Sequence, residues 1–286
     1  MIDLHTHTDE SDGTLTPAEL VHAAAAMGLE ALGISDHDTF AGYDQAEPLA
    51  REARLDLVCG IELSTKWRST PPGRSRSIHV LGYFLEKDPT EEFRNWLEAI
   101  RAARRDRNRR LADRLQSLGI DVTLAEVERL GRSLAGRPHF ARLLVEKGYV
   151  ATLQEAFDRY LAESAAAYVE RDEPALEAGI AKIVKAGGLA SLAHPVRLAN
   201  RRAVIEKAVA DMCDMGLGAI EVYHSDHTPE DVEFFLKLAG RHGLAVTGGT
   251  DFHGDNKPGL ALGTGYGNVA VPRVVLDFLR AQVSAR

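Results

Sequence analysis

The sequence predicts an α/β fold in which seven strands alternate with helices and one long helical insertion interrupts the alternation. Short apolar runs of strand length recur between segments with helical periodicity, as in parallel βα units. Residues 91–167 have helical spacing of apolar side chains and almost no strand signal. Imidazole and carboxylate side chains recur where predicted strands end. The 286 residues suffice for one barrel-sized domain.

The first part of the chain contains four strand candidates. In the first helix, Thr16 suits the N-cap, Pro17 the first helical position and Gly28 the residue after the end. Two prolines and a glycine favour a solvent loop before the fourth strand. In order, the predicted elements are an opening strand, helix 15–27, strand 31–35, helix 43–54, strand 57–63, loop 69–77 and strand 78–84.

After the insertion, the alternation resumes with three more strand candidates. Each of them follows a helix and ends in a short polar sequence, AHP, YHS or TDFH. We find no internal repeat and no low-complexity segment. In order, the predicted elements are helix 175–186, strand 189–193, helix 201–215, strand 219–223, helix 229–242 and strand 244–247.

Composition excludes several classes of protein. The net charge of −8 argues against binding nucleic acid through bulk charge. Cys59 and Cys213 stand singly, so neither a disulfide framework nor a cysteine zinc site is expected. No apolar run approaches the roughly 18 residues of a spanning helix, and no secretory signal is evident. We therefore expect a cytoplasmic protein that does not bind membranes.

The polar residues at strand ends predict a metal centre. His5 and His7 are two apart, so a strand would direct both side chains to one face. The carboxyl ends of strands are also where (β/α) barrels build active sites. Imidazole and carboxylate ligands without thiolate suit Zn²⁺, Mn²⁺ or Fe²⁺, and a larger carboxylate share favours Mn²⁺. The nine candidate ligands are His5, His7, Asp12, His37, Glu62, His79, His194, Asp251 and His253.

Nine ligands are too many for one ion and suffice for two or three. Each of Asp12, Glu62 and His79 also has an ordinary interpretation: a turn residue, an ion-pair partner and a core histidine. His22 and His242 lie on predicted helices, so we interpret them as solvated or structural. The joint placement of the others favours the metal interpretation.

Several motifs resemble those of the PHP (polymerase and histidinol phosphatase) family of metal-dependent phosphoesterases. They are HTHTDESDG, SDHD at 35–38, GIE at 60–62, His79, AHP and TDFH, and the resemblance covers residues 1–84 and 189–271. It implies a distorted (β/α)7 barrel with up to three metals at its C-terminal face. We assign 1–90 and 168–286 to the barrel and 91–167 to a helical insertion that forms one wall of the substrate cleft.

The resemblance also implies a role for each ligand. Glu62 would bridge two metals and hold the hydroxide that attacks a phosphate monoester. The first metal would be held by His5, His7, Glu62 and Asp251, the second by Glu62, His79 and His194, and the third by Asp12, His37 and His253. No ligand position is vacant, which argues against a metal-free member of the family.

The insertion narrows the resemblance. GRPHFARLLVEKGY at 136–149 resembles a subgroup that acts on nucleoside 3',5'-bisphosphates and, in relatives, on the 5' ends of short oligoribonucleotides. Pro138 suits the start of a helix, so Arg137 and His139 would flank an N-terminus that favours a phosphate. The alternative is an ordinary capped helix with a surface arginine.

Four further residues are candidates for substrate contact. Arg104 and Asn108 continue an apolar stripe on the first insertion helix, so they either face the metal cleft or pair within the insertion. Arg197 follows AHP, which would place it at the barrel mouth. His224 lies at a strand end and could contact substrate or a metal-bound water.

The sequence thus predicts a metal-dependent phosphoric monoester hydrolase acting on a nucleotide. The resemblance favours removal of the 3'-phosphate from adenosine 3',5'-bisphosphate or a similar molecule, which leaves AMP. The alternatives are a 5'-3' exoribonuclease acting on short RNA, a histidinol-phosphate phosphatase, and a structural PHP module without activity. The expected partner is a small nucleotide or a short RNA, with no obligate protein partner.

Overall fold

A computed structural model describes residues 1–67, 76–131, 135–170 and 172–284. Within these ranges, the seven predicted strands are present and form one sheet, in which they lie in the order of the sequence. Most of the predicted loop 69–77 lies outside the described residues, and its last two residues belong to β4. The strands are β1 (Ile2–Thr6), β2 (Ala31–Ile34), β3 (Asp56–Trp67), β4 (Arg76–Phe84), β5 (Leu189–Leu192), β6 (Ala219–Tyr223) and β7 (Ala245–Gly248).

The strand β4 contradicts the prediction of uniform parallel βα units. β4 pairs antiparallel with both β3 and β5, whereas β1, β2 and β3 are mutually parallel, as are β5, β6 and β7. The connection between β3 and β4 is too short for the helical crossover that a parallel pair requires. Because β4 is reversed, His79 near its start pairs with Ser64 on β3. Ser64 lies two positions after Glu62 on the same strand.

The chain just after β7 joins β1 and curves the sheet into a distorted barrel. The backbone N–H of Asp251 donates to the His5 carbonyl at 2.8 Å, and the N–H of His7 donates to the Phe252 carbonyl at 2.9 Å. Alternate residues of β4 face opposite sides, so Val80 and Phe84 join one apolar core and Leu81 and Tyr83 another.

Helices cover the sheet and form the segment 91–167. Within its described residues that segment contains α3 to α6 and a π-helical turn, Phe157–Leu161, and no strand. The α-helices of the chain are α1 (Pro17–Ala26), α2 (Ala41–Ala53), α3 (Glu91–Ser117), α4 (Leu124–Gly131), α5 (Arg137–Glu146), α6 (Leu153–Ala156), α7 (Leu176–Lys185), α8 (Arg202–Asp214), α9 (Pro229–His242) and α10 (Val274–Ser284).

The long helix α3 connects the barrel with the insertion. Its first half contributes Phe93 and Leu97 to a core shared with the barrel, and its second half contributes Leu111 and Leu115 to a core made of the insertion's own helices. The boundaries at 91 and 167 therefore stay a prediction. None of the helices in the described ranges combines the length and apolar character that crossing a bilayer requires.

Candidate metal centre and substrate cleft

Glu62 lies at the centre of the predicted ligand cluster, with its side chain almost fully buried on β3. Its Oε2 lies 3.1 Å from His7 Nε2, 3.4 Å from His5 Nε2 and 3.3 Å from His37 Nδ1. Its Oε1 lies 2.8 Å from His79 Nδ1 and 2.9 Å from His194 Nε2. One carboxylate thus contacts imidazoles from β1, β4 and the loops after β1, β2 and β5.

Asp251 and Asp12 contribute two further carboxylates to the cluster. Asp251 Oδ1 lies 3.4 Å from His5 Nε2, His7 Nε2 and His253 Nδ1. Asp12 Oδ1 lies 3.2 Å from His253 Nε2, and Oδ2 lies 3.6 Å from His37 Nε2. All nine residues predicted as ligands therefore lie in one buried or partly buried cluster.

Two of these residues have a strained backbone. His194 and Asp251 have φ values of 31° and 57°, in the left-handed region that side chains with a Cβ rarely adopt. Such conformations cost about 1–3 kcal/mol and are found mainly where function requires them. The surrounding hydrogen bonds hold both side chains toward Glu62 and the histidines.

The donor set fits divalent metal ions. His5 Nε2, His7 Nε2, His37 Nδ1 and Asp12 Oδ1 are buried and have no hydrogen-bond partner among the described residues. Leaving such an atom unsatisfied costs about 1–3 kcal/mol. Two ligands that share an ion at about 2.1 Å are roughly 3.0–3.5 Å apart. The contacts between His7, Glu62 and Asp251, at 3.1 and 3.4 Å, match that spacing.

The three carboxylates of the cluster are ionised. Burial opposes ionisation of Asp12, Glu62 and Asp251, but the neighbouring histidines and, at Asp251, the Lys257 ammonium outweigh it and hold the pKa of each carboxyl well below its usual value. Burial likewise opposes protonation of His7, yet Asp251 and Glu62 raise its pKa to about 9. Ionised carboxylates that draw protons onto an imidazole would also attract a metal cation.

Other histidines of the cluster remain neutral. Burial is the main cause that lowers the pKa of His37 to about 3 and of His194 to about 4. A neutral imidazole has the free lone pair that a metal ligand needs. His37 and His194 are therefore in the protonation state that favours coordination.

A cavity of about 960 Å³ lies between the metal cluster and the insertion. Asp12, His37 and His79 line it from the barrel, and Gly136, Arg137 and Pro138 line it from the start of α5. That the segment 91–167 is an insertion forming one wall of a substrate cleft stays a prediction.

Arg104 and Asn108 differ in their surroundings, although both are buried on α3. Arg104 lines the cavity, and its Nη2 donates to Asp38 Oδ2 at 2.6 Å. Asn108 Nδ2 donates to the Ala135 carbonyl at 2.7 Å, within the insertion. Of the two interpretations left open by the sequence, Arg104 fits the cleft and Asn108 fits internal pairing.

Arg137 and His139 also differ. Arg137 lines the cavity, and its Nη1 donates to the Leu161 carbonyl at 3.4 Å. His139 is buried and accepts a hydrogen bond from the Gly136 backbone N–H through Nδ1 at 3.1 Å, so it caps α5. In this tautomer Nε2–H is the donor that His139 retains. Its predicted contact with a phosphate stays a prediction.

Comparison with known proteins identifies the family. The family model described as PHP domain matches residues 3–170, more than half of the chain. The chain belongs to the PHP domain family. A 3',5'-nucleoside bisphosphate phosphatase from Chromobacterium violaceum is 35% identical over 265 residues, which cover 92% of this chain and 90% of that protein.

Two further known proteins are similar to this chain over most of their length. A 5'-3' exoribonuclease from Haemophilus influenzae is 34% identical over 251 residues, or 88% of this chain and 89% of that protein. A solved structure from Chromobacterium violaceum, described as an amidohydrolase with bound sulfate and no metal, has a TM-score of 0.81 and 33% identity. The alignment covers 99% of this chain and 96% of that one.

Glu221 supports the PHP metal centre from β6 and was not predicted from the sequence. Its Oε1 lies 2.8 Å from His5 Nδ1, and its Oε2 accepts from the backbone N–H of His194 at 2.7 Å. Because a carboxylate can only accept here, His5 Nδ1 carries a proton, which leaves Nε2, directed to Glu62 and Asp251, as the atom that would bind a metal. The sequence signal that could have identified Glu221 is a carboxylate within the otherwise apolar strand AIEVY.

Replacing Glu221 with Gln should weaken metal binding by about 10- to 100-fold, the usual effect of losing such a partner of a ligating histidine. The amide can donate to His5, which would favour the wrong tautomer. Titration of metal-stripped protein with Mn²⁺ measures this, and unchanged affinity would contradict the role assigned to Glu221.

Asp36 fixes the loop that carries Asp12. Its carboxylate accepts from the backbone N–H of Thr8 at 2.7 Å, from the Thr8 hydroxyl at 2.7 Å and from the Ser11 hydroxyl at 2.6 Å. A Cβ at Gly13 would lie 2.4 Å from the His7 carbonyl oxygen, so this turn requires glycine. The motif HTHTDESDG therefore depends on the first Asp of SDHD for its shape.

Behind Asp251 lie three donors that contact its second oxygen. His224 Nε2 and Arg197 Nη2 lie 3.5 and 3.3 Å from Asp251 Oδ2, and the Lys257 ammonium contacts the same oxygen. His224 Nδ1 accepts from the backbone N–H of Asp226 at 3.0 Å, so Nε2 carries the proton. His224 is fully buried and contacts a metal-ligand candidate; its predicted contact with substrate stays a prediction.

Proposed function

We propose that this protein is a metal-dependent phosphatase that removes the 3'-phosphate from nucleoside 3',5'-bisphosphates. The observation that carries the proposal is a metal-ligand cluster that opens onto a nucleotide-sized cavity lined by arginines. The Chromobacterium violaceum relative supports the same substrate class. The reaction consumes one water and yields AMP and phosphate from adenosine 3',5'-bisphosphate.

Divalent metal ions would supply a water of lowered pKa and positive charge against the phosphate oxygens. The carboxylate-rich donor set favours two or three Mn²⁺ ions, with Zn²⁺ or Fe²⁺ as alternatives. Glu62 is suited to bridge two ions because its two oxygens contact different histidines. The ligands in this proposal are His5, His7, Asp12, His37, Glu62, His79, His194, Asp251 and His253.

Arginines on the cavity wall would bind the phosphate that is not hydrolysed. Arg104, Arg107 and Arg137 line the cavity, and Arg104 is anchored by Asp38. Guanidinium groups match phosphate oxygens in geometry and charge. Such contacts also position the reacting phosphate for in-line attack. The same cavity is also lined by Glu163, Glu170 and Glu173, so the positive charge of the arginines is confined to the part of the wall formed by α3 and the start of α5.

Replacing Arg137 with Ala should reduce kcat/KM for adenosine 3',5'-bisphosphate by roughly 10- to 100-fold, the range for losing one charge-assisted hydrogen bond. The same change should leave hydrolysis of p-nitrophenyl phosphate nearly unaffected, because that substrate lacks the second phosphate. Initial rates on both substrates test this. Equal losses on the two would mean that Arg137 acts elsewhere.

A second candidate function is 5'-3' exoribonuclease activity on short RNA. The Haemophilus influenzae relative is a 5'-3' exoribonuclease, and the arginines that line the cavity could equally bind the 5'-phosphate of a short RNA. Against a long RNA stands the acidic net charge. Histidinol phosphate is a weaker candidate because so small a substrate would leave the insertion wall unused.

The proposal is tested by stripping the protein of metal, restoring Mn²⁺ and measuring phosphate release from adenosine 3',5'-bisphosphate. We expect release only with metal, and AMP as the nucleotide product. Adenosine 3'-phosphate as the product would place the other phosphate at the metals. No activity with any of Mn²⁺, Zn²⁺ or Fe²⁺ would contradict the proposal and favour a structural module.

A further inference from the structure

We propose that the ring of Tyr168 is the stacking platform for the nucleobase of the substrate, with the guanidinium of Arg137 on the other face of the base. This inference rests on the proposed function. It assigns a binding partner to the nucleobase, for which the metal cluster and the arginine wall provide none. It adds a specificity-determining residue directly after the segment 91–167.

Tyr168 lies on the wall of the same cavity as the ligand candidates His37 and His79. Apart from these histidines, Phe157 and Tyr168 are the aromatic residues that line the cavity in the described part of the chain. Both rings are partly exposed. Each of the nucleobases has a flat π-face that can stack on such a ring.

Arg137 contacts both the end of the π-helical turn and the ring of Tyr168. It lies at the start of α5, and its Nη1 donates to the Leu161 carbonyl at the end of the π-helical turn. Its Cζ lies over the Tyr168 ring at 6.0 Å from the centroid. Cation–π contacts extend to about 6 Å, so this one is loose. The guanidinium face and the N–H edge are separate, so Arg137 can cover a base and still donate to a phosphate.

The spacing of Arg137 and Tyr168 is close to what an inserted base needs. A flat base between two planes requires roughly 7 Å, twice the roughly 3.5 Å of optimal carbon contact. The gap of 6.0 Å would have to widen by about 1 Å. A neighbouring pair of the same type is tighter, since Arg159 lies 5.0 Å from the Tyr160 ring and also hydrogen-bonds its hydroxyl.

The backbone behind Tyr168 is held in place, as a platform requires. The N–H groups of Ala166 and Ala167 donate to the carbonyls of Arg159 and Tyr160 at 3.2 and 3.0 Å. Ala167 is fully buried in the insertion core. Arg114 Nε donates to the Ala166 carbonyl at 3.0 Å. The π-helical turn that these bonds fasten is a feature that is frequent at functional sites.

The test compares substrates with and without a base. The probes are adenosine 3',5'-bisphosphate and 1-deoxyribose 3,5-bisphosphate, which has both phosphates and no base. Tyr168→Ala should lower kcat/KM for the nucleotide by about 5- to 100-fold, as expected for one lost stacking contact, and leave the abasic probe within about twofold. Tyr168→Phe should retain the preference of the unmodified protein for the nucleotide.

Tyr160→Ala is the matched control, because it removes an Arg–Tyr pair of the insertion that does not line the cavity. It should leave the ratio of the two kcat/KM values unchanged. Equal losses on both probes for Tyr168→Ala, or no loss on either, would overturn the platform. A Tyr168→Phe variant that loses the preference as fully as Tyr168→Ala would overturn stacking as its cause.

Failure of the proposed function would look different, because the unmodified protein would then hydrolyse neither probe. The platform is then read from binding of AMP and ribose 5-phosphate by calorimetry. Tyr168→Ala should weaken AMP by a similar factor and leave ribose 5-phosphate unchanged. Equal affinities of the unmodified protein for AMP and ribose 5-phosphate would overturn the platform independently of catalysis.

Discussion

Replacing Glu62 with Gln is expected to lower turnover by at least about 1,000-fold, because the loss of a bridging carboxylate removes several kcal/mol of stabilisation by metal ions. Glu62 contacts the rings of His5, His7, His37, His79 and His194. An amide has one acceptor oxygen and no charge, so it cannot serve both sides of this cluster.

Metal content and turnover of Glu62→Gln should fall together. Elemental analysis after purification measures the metal, and phosphate release with saturating Mn²⁺ measures turnover. Glu52→Gln, which changes an exposed carboxylate on α2, is the matched control and should behave like the unmodified protein. Full activity of Glu62→Gln would contradict the bridging role and, with it, the whole assignment of the centre.

Replacing His7 with Ala is expected to have the second largest effect, with turnover reduced by at least about 100-fold, since metal affinity depends strongly on each ligand. His7 is fully buried and its Nε2 lies 3.1 Å from Glu62 Oε2 and 3.4 Å from Asp251 Oδ1. Its Nδ1 lies 3.7 Å from Asp12 Oδ1. The His7 ring therefore separates the carboxylates of Glu62 and Asp251 from that of Asp12, which would repel them without the ring.

Thermal unfolding distinguishes a lost ligand from a general loss of packing. Ions that bind only the folded state raise its stability as their concentration rises above the Kd. Mn²⁺ should therefore raise the Tm of the unmodified protein and of His22→Ala, whose side chain is exposed on α1, far more than that of His7→Ala. A His7→Ala variant with an undiminished Tm increase would refute His7 as a ligand.

The strand pattern and the ligand candidates could be predicted because both depend on local signals. The strand 219–223 and the helix 229–242 were predicted with the observed bounds. In the structure Thr228 caps the start of this helix, and Gly243 follows its end. His5 and His7 follow the two-residue period of a strand, which directs both side chains to one face. Glu62 and Asp251 entered the same set because they lie at the ends of other predicted strands.

The direction of β4 and the partners of α3 could not be predicted from local signals. An apolar run of strand length has no direction, so the sequence suggested parallel units where β4 is reversed. The stripe on α3 indicated that Arg104 and Asn108 need polar partners. Arg104 pairs with Asp38 and Asn108 with the Ala135 carbonyl because of tertiary packing, which the sequence pattern does not reveal.

Phosphate release from three substrates under identical Mn²⁺ conditions tests the central claim most directly. The substrates are adenosine 3',5'-bisphosphate, histidinol phosphate and a short RNA with a 5'-phosphate. Our account predicts the highest kcat/KM for the bisphosphate, with AMP as product. A higher kcat/KM for histidinol phosphate, or nucleotide release from the RNA that exceeds phosphate release from the bisphosphate, would contradict it.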